Sequence, residues 1–260
     1  MTASLRSSLR IVSLAPSATS ILYAIGAKNS LVGVTKWCAE VAPINRLPKL
    51  GDSWHMKSAD QILRLRPTLV IGSVPYKAET VARLLEHPLN FLAMNPRSLA
   101  DVENDIRTLG RLANRAAAAE RVIRRMRREF AEVARKPHGN NRRVRVYCEA
   151  WSNPRISSPP WVAELVGIAG GEMAVPAGCS VTDEQVADAD PEIIVLAWAA
   201  TGKKAKAQVA YRVEAWTNVA AIRNRRVHVI SDELLNTPGP PLVAGARELA
   251  KLIRAAQATR

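Results

Sequence analysis

Two rhythms of apolar positions alternate along this chain. Short apolar runs, most of them rich in β-branched residues, lie at 10–14, 31–35, 68–72, 90–94, 144–147, 193–196 and 227–230, and most stop within a residue or two at a Pro, Gly, Ser or Trp. Between them, apolar residues three and four apart mark helices at 18–25, 78–86, 161–168 and 240–255. The runs have the length of buried strands and the spaced stretches the period of amphipathic helices. Strands that alternate with helices predict a parallel sheet covered on both faces. From Ser98 to about Lys136 the strand rhythm is absent. Within that gap the Ala/Arg/Glu-rich residues 116–135 carry Val122, Ile123, Met126, Phe130 and Val133 at helical spacing, and about 20 helical residues extend ~30 Å, the breadth of a small domain.

One segment occurs twice. SADQILRLRPTLVI at 58–71 aligns without a gap on TDEQVADADPEIIV at 182–195. In each, a hydroxyl residue precedes Gln by three positions, a capping box, and Pro ends a short amphipathic helix before a buried strand. A helix-to-strand unit used once in each half predicts two Rossmann-like α/β lobes with mainly parallel sheets, joined by the single long helix, with a ligand cleft between the lobes. The expected divisions are an N-terminal lobe at 1–98, a helical linker at 99–138 and a C-terminal lobe at 139–260.

At 260 residues and 48% hydrophobic composition the chain is long enough and apolar enough for two modest cores. No apolar run reaches the length of a membrane span, and the first nine residues show no apolar signal core. The chain as it stands therefore reads as cytoplasmic, or as periplasmic if a leader has been removed. The net charge of +14 raises nucleic acid as a partner, but much of it lies in Arg121, Arg124, Arg125, Arg127, Arg128 and Arg135 on the long helix. Without a nucleic-acid motif, a solvated helix face explains it better.

The repeat, the opening RIVSLAPS at 10–17, the Val32-Gly33-Val34 strand and the joining helix together resemble the helical-backbone class of ABC-transporter substrate-binding proteins. Within that class the likeness is to cobalamin-binding members, with siderophore-, haem- and metal-binding members as cousins. The resemblance runs from about residue 10 to the C-terminal helix. It implies a non-catalytic binder of cobalamin, a related corrinoid or another metallo-ligand, serving ABC-type uptake or intracellular handling. By the same likeness Trp54 matches a ligand-stacking Trp, Gly178 falls near the place of its partner Trp in the other lobe, and Asp60 and Glu184 match acids that dock on a permease. Their local alternative is to favour the helix dipole in a first turn.

In open parallel sheets the ligand lies beyond the carboxyl ends of the strands. Those ends bring forward Ser17, Trp37, Trp54, His55, Tyr76, Trp151 and Trp198 as ligand-binding candidates, the aromatic members offering flat faces to a macrocycle. Cys38, Cys148 and Cys179 also fall there, and their odd number excludes a complete disulfide framework. They are either small buried hydrophobes or ligands of a soft metal or metal cluster, with His55, Glu40 or Glu149 near. Neither a nucleophile–base pair, a phosphate loop nor a dinucleotide fingerprint is legible. Besides the cleft binder, a cytosolic thiol–metal protein and a basic nucleic-acid-associated protein stay open as alternatives.

Overall fold

The computed structural model describes residues 9–51, 59–75, 77–135, 143–201 and 205–258. The chain divides into two compact units, one of Met1–Pro96 with Glu103–Ile123, the other of Arg97–Val102 with Arg124–Arg260. Among the described residues no helix is long and apolar enough to cross a membrane.

In the first unit β1 (Ile11–Ser13), β2 (Leu31–Thr35), β3 (Lys49–Leu50), β4 (Leu69–Ser73) and β5 (Phe91–Met94) form a wholly parallel sheet in the order β3-β2-β1-β4-β5. The order reverses between β1 and β4, which makes their carboxyl ends the switch point of the sheet. Successive strand residues face opposite ways. Val12, Leu14 and Val70 accordingly pack with Ile62 of α2 (Asp60–Arg64) and Leu84 of α3 (Ala78–Leu85). Ser13 turns to the other face, where α1 (Pro16–Ala24) supplies Thr19 as its partner. Helices α4 (Leu99–Leu112) and α5 (Ala116–Arg135) follow, so the long helix expected from the Ala/Arg pattern is present. The chain passes from the first unit to the second within α5.

The second unit has β6 (Val144–Ser152), β7 (Arg155–Ser157), β8 (Gly171–Met173), β9 (Ile193–Leu196) and β10 (Val227–Val229). Its order is β10-β9-β6-β7, with β8 also on β6, and every pairing is parallel except β6 with β7. One face carries α7 (Asp183–Asp188) and α8 (Ala220–Arg223), whose Val186 and Ala221 join Tyr147, Ile194, Leu196 and Trp216 in one core. The other carries α6 (Pro160–Ile168) and α9 (Leu242–Ala258). One expectation changes here. The strand at 144–147 is longer than its apolar run: β6 runs on to Ser152, turns at Asn153-Pro154 and returns as β7, because burial of Glu149 by pairing lets a charged residue continue an apolar strand. The segment before Val219 forms 3₁₀ turns at Ala207–Arg212 and Glu214–Trp216.

The repeat survives folding in its helix, its left-handed turn and its strand, and the capping box is complete in the second copy. At α7 the Thr182 hydroxyl accepts from the Gln185 N–H and the Gln185 carboxamide from the Thr182 N–H, at 3.2 and 2.9 Å, the full capping box. At α2 the residue preceding the helix is Ala59, without a side-chain cap, and Ser58 lies outside the described residues. Both units place a left-handed residue before the proline, Arg66 at φ 45° and Asp190 at φ 40°. Strand register extends the equivalence beyond the fourteen aligned positions. Ile11 faces Leu69 and Val146 faces Ile193, which makes Arg10 the counterpart of Arg145. The two arginines do the same work: Arg10 donates to the carbonyls of Leu65 and Arg66 at 2.7 and 3.1 Å, and Arg145 to the Asp190 carbonyl at 2.7 and 3.0 Å. Each holds the exit of its helix against the strand that follows.

The equivalence fails in one informative respect. The Asp190 carboxylate also accepts from the Ala220 N–H at 2.8 Å and pairs with Arg145 at 3.0 Å, whereas Arg66 is exposed. Gly relieves a left-handed site by about 1 kcal/mol, and a charged hydrogen bond contributes about 1.5–3 kcal/mol. Arg66→Gly is therefore expected to leave stability unchanged or raise it by up to about 1 kcal/mol. Asp190→Gly should lower it by about 1–2 kcal/mol. Denaturant titrations that gave both substitutions the same sign would refute the assignment.

Candidate functional site

At the carboxyl end of β1 the chain enters α1 through Ala15-Pro16, and Ser17 lies buried in its first turn. The end of β2 leads into a 3₁₀ turn at Lys36–Glu40 that carries a half-buried Trp37, with the Lys36 ammonium 4.6 Å above its ring. Trp54, His55 and Tyr76 lie outside the described residues.

In the second unit the hairpin and the end of β9 place two of the candidates on neighbouring strands. Trp151 is 43% exposed near the end of β6, and its indole N–H donates to the Asn153 carbonyl at 2.9 Å. Trp198 follows β9, half-buried against the core, and its N–H donates to Glu149 Oε1 at 2.7 Å. The Ala197 and Ala199 N–H groups donate to the carbonyls of Glu149 and Ala150, both at 2.9 Å, and so tie this loop to β6. The turn after β10 lies against α9 at Gly245, where any Cβ would overlap the Leu234 carbonyl oxygen. From it Asp232 accepts the Ala200 N–H at 3.1 Å.

Beneath Trp198 is a charged cluster that sequence reasoning did not assemble. Glu149 is fully buried, pairs with Arg155 at 2.9 Å and accepts the Tyr147 hydroxyl at 2.7 Å. Arg155 also binds Asp183, and its guanidinium lies 4.3 Å above the Trp216 ring. Burial opposes the charge on Arg155, but its bonds to Asp183 and Glu149 outweigh burial and raise its pKa. Burial, then the charge of Glu149, pushes the Tyr147 phenol up and keeps it a donor. The signal was present in outline. Tyr147 and Glu149 are two apart on one strand and share a face. The basic partner comes from a hairpin that the apolar pattern did not predict.

Among the described residues the thiols do not gather into the expected soft-metal site. Cys148 lies within β6, not at its end, on the face opposite Glu149, and desolvation pushes its pKa up to about 12. Cys38 is buried and raised by the same cause, although the Thr19 and Thr35 hydroxyls, 3.1 and 3.4 Å away, pull it down. Cys179 is exposed, and its thiol donates to the Ala177 carbonyl at 3.6 Å. Among the described residues no cysteine belongs to a group of three ligating side chains within 4.8 Å of one another. Two thiols are thus packing residues of separate cores. Glu149, the acid expected near a metal, has its donors elsewhere.

Asp60 and Glu184 are both exposed in first helical turns. Hydrogen bonds from its own N–H and from Thr182 hold the Glu184 carboxyl below its ordinary range. The basic face of α5 is interleaved with acids, with Arg125–Glu129 and Arg128–Glu132 pairs at 3.9 and 3.8 Å. This is the geometry of a solvated helix face.

Residues 11–234 match the family model described as periplasmic binding protein. The chain belongs to that family. It is 25% identical to an ABC transporter substrate-binding lipoprotein of Bacillus subtilis, over 94% of this chain and 79% of the relative. It is 24% identical to the vitamin B12-binding protein of Vibrio parahaemolyticus, over 89% of this chain and 84% of the relative. The solved periplasmic heme-binding protein RhuT of Roseiflexus sp. RS-1 superposes with a TM-score of 0.78 at 25% identity, covering 96% of this chain and 99% of the other. A periplasmic binding protein captures substrate and does not transform it, which agrees with the reading as a binder.

The thiol assignments have a direct check. A pKa raised by burial lowers the thiolate fraction that reacts. At about pH 8, iodoacetamide should label Cys179 in the native protein, and Cys38 and Cys148 only after denaturation. Peptide mass spectrometry distinguishes the sites, and rapid native labelling of Cys148 would contradict its placement.

Proposed function

We propose that this protein is the ligand-capturing component of an ABC importer and takes a flat metallo-macrocycle, cobalamin or a related corrinoid. The observation that carries the reading is the pair Trp151 and Trp198 at the ends of neighbouring strands. Each has its single indole N–H bonded to protein, so each offers carbon ring surface. Flat aromatic faces suit a macrocycle, and Trp54, Trp37 and Tyr76 extend that set in this proposal. Relatives named vitamin B12-binding protein support a corrinoid. A relative named for heme, also a flat metallo-macrocycle, makes heme the second reading. The lipoprotein relative supports a place outside the cytoplasmic membrane. Asp60 and Glu184, equivalent acids in the two repeat segments, are proposed to meet basic residues of the permease.

Calorimetric titration with cyanocobalamin, cobinamide and hemin tests the ligand. A corrinoid should bind, and Trp54→Ala and Trp198→Ala should each weaken it by about 1–3 kcal/mol. Binding of hemin alone moves the assignment to the second reading, and binding of none of the three overturns both. Asp60→Arg and Glu184→Arg should abolish uptake by cells that carry the cognate permease. Because rim charges act on docking, they should change the ligand Kd less than about twofold. A comparable loss of ligand affinity would refute the docking role.

A further inference from the structure

A carboxylate removed from water costs several kcal/mol unless donors surround it, and a well-packed apolar core would be at least as stable. Glu149 is fully buried and surrounded: Oε1 accepts Trp198 Nε1 at 2.7 Å, and Oε2 accepts the Tyr147 hydroxyl at 2.7 Å and Arg155 Nη1 at 2.9 Å. The next layer is also closed. The Arg155 Nε binds Asp183, the Trp216 N–H donates to the Asp183 carbonyl at 3.0 Å, and Tyr147 meets Trp216 edge-on at 5.9 Å. Stability does not require such a cluster, and what it fixes is direction. An indole has a single donor, so the hydrogen bond from Trp198 to Glu149 sets which edge of the ring turns inward.

We propose that Glu149 is a positioning residue for ligand recognition. It draws the Trp198 N–H into the core, so the part of the indole left at the end of β9 is a donor-free aromatic face, which selects a flat apolar ligand surface over a hydrogen-bonding one. This inference rests on the reading above that Trp198 meets the ligand. Tyr147 and Arg155 act through Glu149, the first as a donor kept protonated and the second as its counter-charge. Trp151, with its indole N–H returned to Asn153, presents the same kind of surface near the end of β6.

The test pairs a spectroscopic readout with affinity. In the full-length protein labelled with ¹⁵N-tryptophan, the Trp198 indole signal is assigned by its loss in Trp198→Phe, and its N–H exchange is measured with and without corrinoid. The parent N–H should be protected and should stay protected when ligand binds. Glu149→Gln should speed its exchange at least about tenfold and weaken corrinoid binding about tenfold, a change of 1.4 kcal/mol. In a Trp198→Phe background the same substitution should change affinity less than about twofold. Unchanged exchange in Glu149→Gln, or an equal loss of affinity in both backgrounds, overturns the proposal. If Glu149→Gln does not fold, the parent alone decides, because a Trp198 N–H that shifts onto the ligand overturns it and one that stays protected supports it. A parent that binds no macrocycle defeats the functional reading instead, a result distinct from a bound parent indifferent to Glu149.

Discussion

A buried carboxylate organises the second unit because it can exist only where donors converge on it. Glu149 brings three segments to one point: Tyr147 from its own strand, Arg155 from the returning strand of the hairpin, and Trp198 from the loop after β9. Arg155 carries the constraint on to Asp183 at the start of α7. Removing any one partner would leave a charge or a donor dry, which costs more than the bond itself contributes. The hairpin, the β9 loop and the α7 entrance are therefore held as a set, although they are far apart in sequence.

The two units share a simpler device and differ in how far they develop it. In both, an arginine at or just before the start of a central strand grips the carbonyl of a left-handed residue, and a proline then leads into the next strand. The residue after the proline closes the joint from the other side: Thr68 accepts the Arg10 N–H at 2.9 Å, and Glu192 accepts the Arg145 N–H at 3.2 Å. In the first unit the interior beyond this joint is a hydroxyl–thiol chain of Ser13, Thr19, Thr35 and Cys38. In the second, Cys148 is the register counterpart of Ser13 and turns into the α6–α9 face, while the charged cluster occupies the opposite face. The shared joint sets the strand ends, and the different interiors set what those ends present.

The short apolar runs and the Ala/Arg helix were legible in the sequence because each announces itself within a few residues. Buried parallel strands need continuous apolar runs, and α5 needs only its 3.6-residue period. The repeat was legible for the same reason, since its capping box and its proline lie within one short segment. The hairpin of β6 and β7 was not, because Glu149 and Arg155 each read as polar surface until they are paired with one another. The cysteines misled in the opposite way. Their positions near predicted strand ends suggested a shared site, but Cys148 lies four residues before the end of β6, and strand alternation alone turns its sulfur to the helical face.

By itself, then, the sequence determined the alternation of elements, the duplicated unit and the places of Trp37, Trp151 and Trp198 near strand ends, because these depend on local periodicity and on turn chemistry. Only the tertiary structure decided which way those aromatics face and which polar groups are buried. Those outcomes depend on contacts between residues such as Glu149 and Trp198, 49 positions apart. A hydrogen bond across that separation leaves no local pattern to read, and its strength comes from the exclusion of water that only a completed core provides.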